Sequence, residues 1–177
     1  MACSLNGTLS QVDIHQAELL AQKIKASKKI LVAGAGRSGF AVKAFAMRLM
    51  HMGYDAYVVG ETVTPNLESE DLLLIGSGSG ETGSLISMSK KAKALGGSVA
   101  LITIFPNSSV GLQADLTLEI PAPTPKAKQA NGLTSIQPMG SLFEQSLFLI
   151  LDLVILRLMD LNTKDSDTMF KRHANLE

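Results

Sequence analysis

The residues best able to do chemistry cluster in three places, and the first is Ile75-Gly-Ser-Gly-Ser-Gly-Glu-Thr82. Glycine carries no Cβ to hold a ligand away from the backbone. Ser77, Ser79 and Thr82 offer short hydroxyls, and Gly78 and Gly80 offer backbone N–H groups. The apolar run Leu72 to Ile75 leads into the loop, and a helix-like segment follows at once. Directed donors at the positive end of a helix dipole suit a phosphate. A flexible Gly/Ser linker has the same composition, but a linker has no reason to sit between a buried strand and a helix start. The stretch reads as an anion site. Glu81 falls in the first turn of the expected helix, where its charge complements the dipole and its N–H can still face the anion.

The second place is Gly34-Ala-Gly-Arg-Ser-Gly39. Its Gly-x-Gly-x-x-Gly spacing between strand and helix fits a dinucleotide fingerprint, and Glu61 imitates the ribose-binding acid. Two features weigh against a nicotinamide cofactor. A second Gly/Ser loop follows the third expected strand, which a dinucleotide fold does not need, and the chain ends before a separate substrate domain could be built. Both loops fall at carboxyl ends of parallel strands and therefore face one crevice. One small ligand with a single phosphate, touched by both loops, is the economical reading. Gly36, Arg37 and Ser38 line it from the first loop. Arginine there neutralises a phosphate or polarises a sugar oxygen; its plainer role is a surface cation at a helix start.

The third place is Glu144, early in the very apolar stretch Leu142 to Leu161 and flanked by Phe143 and Leu147. Partial burial moves a carboxylate toward the range useful to a proton-transfer base. The bland alternative is a buried glutamate satisfied by helix N-termini or a neighbouring arginine. Asp152 lies about 80° further round the same helix and does not pair with it. His15 and His51 sit on expected helices, His51 in a last turn where a cation favours the dipole. His173 lies in a polar tail, with no core role and the reach to enter a neighbouring site. Three isolated histidines do not read as a metal site. Met47, Met50 and Met52 read as core or interface filler.

These groups need a scaffold, and the apolar pattern supplies one. Helices are expected over 10–26, 38–52 (closed by Gly53), 81–95 and 139–161, and strands over 30–33, 56–59, 71–75, 98–104 and 116–120. A short helical turn separates the last two strands. Continuous apolar strands alternating with helices mean a parallel sheet covered on both faces. The Pro/Lys/Gln-rich loop 121–137 is long and structureless, which marks it as functional or mobile.

Composition sets the outer bounds. At 177 residues, 46% apolar and 18% charged, the chain is one domain with a proper core and is not disordered. Sixteen basic and sixteen acidic side chains cancel, so no global field recruits nucleic acid or an anionic membrane. Cys3 is the only cysteine, which excludes an intramolecular disulfide and disfavours a Cys-based metal site. No apolar leader follows a basic start, so a cytoplasmic setting is the default. Glu144, Asp152 and Arg157 interrupt the longest apolar stretch, which argues for a buried helix shared with another subunit rather than a membrane span.

With both loops placed, the chain resembles the sugar isomerase (SIS) domain family, and within it the 6-phospho-3-hexuloisomerases. The matching blocks are Ala33-Gly-Ala-Gly-Arg-Ser-Gly39, Phe45-Ala-Met-Arg-Leu-Met-His-Met-Gly53, Ile75 to Thr82, Ile136-Gln-Pro-Met-Gly-Ser-Leu-Phe-Glu-Gln145 and His173-Ala-Asn-Leu-Glu177. The glycine loops alone indicate the SIS fold, and the last two blocks point to the isomerase. The resemblance implies a three-layer α/β sandwich with a five-stranded parallel sheet of flavodoxin-like topology, assembled as a homotetramer. It implies conversion of D-arabino-hex-3-ulose 6-phosphate to fructose 6-phosphate, after hexulose-phosphate synthase has fixed formaldehyde in the ribulose monophosphate pathway. It implies no metal and no organic cofactor. Glu144 is then the base, and Ser77 to Thr82 hold the phosphate. Arg37 and Ser38 touch sugar oxygens or the phosphate edge, and His173, from the same or an adjacent subunit, shuttles a hydroxyl proton. An aldose–ketose isomerase on another sugar phosphate, or a non-catalytic sugar-phosphate sensor, would use the same loops.

Overall fold

The apolar runs of the sequence lie side by side as strands β1 (Lys29–Gly34), β2 (Asp55–Val58), β3 (Leu72–Gly76), β4 (Ser98–Thr103) and β5 (Leu116–Glu119). In the computed structural model, which describes residues 2–124 and 135–176, they form one all-parallel sheet in the order β2-β1-β3-β4-β5. Successive side chains point to opposite faces. Ile30, Val32, Leu72 and Leu74 join one core cluster, and Leu31, Ala33, Leu73 and Ile75 join the other. Both faces are therefore apolar, as a doubly covered parallel sheet requires.

Helices α2 (Ile14–Ala26), α3 (Gly36–Met52) and α5 (Ser141–Asn162) cover the first face, and α4 (Gly83–Ala94) covers the second. The three-layer, flavodoxin-like expectation is met. Two helices were not expected. α1 (Ala2–Leu9) and α6 (Ser166–Phe170) are short and pack on the main body through single faces, so neither leaves a long periodic signal. The first expected helix begins four residues late, at Ile14, because Asp13 caps it by accepting the His15 N–H at 2.8 Å.

Other boundaries carry meaning for function. α3 ends as expected at Gly53, whose φ of 88° suits a residue without Cβ. α4 begins at Gly83 rather than Glu81, and α5 at Ser141 after Met139 turns the chain with φ 55°. Arg157 binds the Glu18 carboxylate through two nitrogens, at 2.6 and 3.0 Å, and so ties α5 to α2. Among the described residues no helix is long and apolar enough to cross a membrane. Of the proline-rich loop 121–137, residues 125–134 lie outside the described residues, as does Glu177 of the tail.

Candidate active site

Gly34 at the end of β1 pairs in register with Gly76 at the end of β3, so the two glycine loops leave the sheet as neighbours. From there the chain turns to opposite faces, into α3 and toward α4. This is the switch point where parallel α/β sheets hold ligands. The glycines are needed for contact rather than for flexibility. A Cβ on Gly39 would lie 2.8 Å from the Gly34 carbonyl oxygen, and one on Gly76 would lie 2.6 Å from Val42. α3 thus starts against the strand it follows, and its first residues stand beside the second loop.

α5 closes the crevice. Phe143 packs on Gly78, where a Cβ would sit 3.1 Å from its ring, and Leu147 packs near Gly76. The next residue, Glu144, is held by α3: the Arg37 guanidinium donates through Nε to Glu144 Oε2. The Glu144 side chain is 19% exposed and that of Arg37 66%. Glu144 Oε1 lies near Gly140, 3.8 Å from where a Cβ would stand there. The alternative in which a neighbouring arginine satisfies this glutamate is therefore what the geometry holds. The pair stands next to the 77–82 loop, because Phe143, the residue before Glu144, packs on Gly78.

The loop itself has a defined internal order. Ser77 Oγ accepts the Gly80 N–H at 3.1 Å, and Ser79 Oγ accepts the Glu81 N–H at 3.2 Å. Both hydroxyls keep their own proton to donate to a ligand. The N–H groups of Gly78, Ser79 and Thr82 have no hydrogen-bond partner among the described residues. Gly80 has φ 63°. Glu81 precedes α4 rather than lying within it. Its carboxylate accepts the Ser109 N–H at 2.7 Å, and hydrogen bonds from Ser109 hold it below the usual carboxylate range. The residues Ser108 and Ser109 were not singled out from sequence. The turn-type run Pro106-Asn-Ser-Ser109 was the available signal.

His173 is not brought to this crevice within one chain. Its ring stacks on His51 at 5.5 Å and on Phe170 at 5.8 Å, at the C-terminal end of α3. Glu144 meets Arg37 at the opposite end of that helix, about 21 Å from His51 by the rise of fourteen residues. His51, His173, Arg48 and Asp152 line an open cavity of about 450 Å³. His51 is buried at 4% exposure, and burial, with the charges of Arg48 and His173, pushes its pKa down. Glu61, which imitated a ribose-binding acid, instead pairs with Lys43 of α3 at 3.4 Å.

Against known proteins, residues 23–149 match the SIS domain. The chain belongs to the SIS domain family. It is 53% identical over 173 residues to the 3-hexulose-6-phosphate isomerase of Bacillus subtilis, covering 98% of this chain and 93% of the relative. The enzyme of the same name from Mycobacterium gastri is 40% identical over 170 residues, covering 96% of this chain and 84% of the relative. A Methanococcus jannaschii protein, whose crystal structure is described as inferring a function as 3-hexulose-6-phosphate isomerase, superposes with a TM-score of 0.83. That pair is 38% identical, covering 92% of this chain and 86% of the other.

Proposed function

We propose that this SIS protein is a 3-hexulose-6-phosphate isomerase. It interconverts D-arabino-hex-3-ulose 6-phosphate and fructose 6-phosphate through a cis-enediol. The observation that carries the reading is the placement of one carboxylate, one guanidinium and a donor-rich loop at a single switch point. The 53% identity to a relative of that name supports it.

Moving a carbonyl from C3 to C2 takes a proton from C2 and returns one to C3. Glu144 does both, because it lies on one wall and one carboxylate is enough for a planar enediol. Arg37 stabilises the oxygen charge that develops as the C2 proton leaves. Gly36 and Ser38 shape the rim of the first loop. Ser77, Ser79 and Thr82, with the Gly78 backbone, hold the 6-phosphate; the Gly80 N–H, expected from sequence to join them, is instead taken by Ser77 Oγ. The chemistry needs no metal and no organic cofactor. Hexulose-phosphate synthase supplies the substrate, and the enzyme works in the cytoplasm.

The protein acts as a homo-oligomer, a tetramer by its resemblance to the family. α3 and α5 turn Phe40, Met47, Phe148, Leu153 and Leu156 outward, and each is between 45% and 72% exposed. Exposed apolar side chains of this kind are what subunit contacts cover. Ala44 lies midway between Arg37 and His51 on α3, so an antiparallel pairing of two copies there sets Arg37 against the far end of its neighbour. The partner subunit's His173 then reaches the crevice that its own chain does not. The test is mixing: an E144Q subunit and one lacking residues 173–177, each inactive alone, should regain activity together. Full activity of the truncated homo-oligomer would remove His173 from the mechanism.

A further inference from the structure

A loop that binds an anion must turn its N–H groups toward the ligand and its own negative atoms away. In the 77–82 loop, residues from the end of β4 onward take two of the carbonyls and the one carboxylate. The Gly78 carbonyl accepts the Ile104 N–H and the Thr103 hydroxyl, both at 3.2 Å. The Gly80 carbonyl accepts the Val110 N–H at 3.1 Å. The Glu81 carboxylate accepts the Ser109 N–H at 2.7 Å. Ser108 fills the space beside Gly80, where a Cβ would meet its Oγ at 1.9 Å, and is itself anchored by the Gly111 N–H at 3.3 Å. An acid next to a phosphate site is unfavourable unless it does something else there. Here it fastens two loops.

We propose that residues 103–111 template the phosphate loop, and that Glu81 sets substrate affinity as a positioning residue acting through the Ser109 N–H. The carbonyls and the carboxylate are drawn to one side, which leaves the N–H groups of Gly78, Ser79 and Thr82 for the anion. Glu81 then contributes as a hydrogen-bond acceptor, not as a charge, and does not touch the reacting carbons. This rests on the phosphate assignment above but not on the identity of the sugar.

The test compares wild-type, E81A and E81Q proteins. Binding of inorganic phosphate is measured by calorimetry, turnover of fructose 6-phosphate by KM and kcat, and folding by thermal melting. Alanine removes the acceptor, so phosphate affinity should fall and KM rise about 10-fold, with kcat and Tm little changed. Glutamine keeps a carbonyl to accept from Ser109 and should stay within about threefold of wild type. Wild-type phosphate affinity in E81A would overturn the proposal. So would E81Q failing alongside E81A, since charge would then be what matters. If the chain lacks turnover but shows this binding pattern, the templating stands and the isomerase assignment falls.

Discussion

In the proposed mechanism Glu144 moves the proton beside Arg37, and its substitution tests that role directly. E144Q keeps the shape of the side chain and a partner for Arg37, but cannot take a proton. It should lose at least about 100-fold in kcat while binding fructose 6-phosphate near normally, since a positioned base contributes about 10²–10⁴-fold. Retention of a tenth of wild-type turnover would remove Glu144 from the role. His51 makes a prediction about stability. Burial lowers its pKa, so the folded state keeps it neutral where the unfolded chain, near the usual value of about 6.5, already takes up a proton. The unfolded state binds more protons below that pH, and stability falls as pH falls through it. The melting temperature should therefore drop between about pH 7 and 5.5, and H51F should flatten that slope. A slope unchanged in H51F would show that other groups carry it.

At the scale of elements, the contact of α3 with β1 is the joint that aims Arg37. Gly34 and Gly39 leave no room for a methyl group, since each Cβ would meet backbone under 3.0 Å away. G39A should cost about 1–3 kcal/mol, read by chemical denaturation, and should also lower turnover because Arg37 moves with the helix. This joint was legible in the sequence: strand, Gly-x-Gly-x-x-Gly, helix and a closing Gly53 each left a local signature. The start of α4 was not. Glu81, expected to open it, instead accepts from Ser109 in another loop, and no local pattern reports a bond across so many residues. Nor did periodicity reveal that Arg37 meets Glu144, because that contact joins two helices through the sheet topology. The residues were readable; their pairing was not.

At the scale of the whole molecule, the proposed oligomer needs the outer face of α3 and α5 as its contact surface. L153E places a charge in the middle of it, where Leu153 is 51% exposed in the single chain. The variant should keep its helical circular dichroism, lose the oligomer in light scattering and lose turnover with it. A fully active monomer would mean that one chain suffices and that the stacked His51 and His173 serve only the fold. From the sequence, the apolar stretch interrupted by Glu144, Asp152 and Arg157 was expected to be a buried helix shared with another subunit. The sequence could not tell that Glu144 points to the crevice, whereas Asp152 lines the cavity beside His51 at the other end.

The central claim is the reaction itself. The direct measurement generates hexulose phosphate with its synthase and couples the appearance of fructose 6-phosphate to a reporter, with ribose 5-phosphate and glucosamine 6-phosphate as parallel substrates. Rapid turnover of the hexulose phosphate, abolished by E144Q and absent with the two controls, is the expected result. No turnover of the hexulose phosphate by folded, oligomeric protein would contradict it.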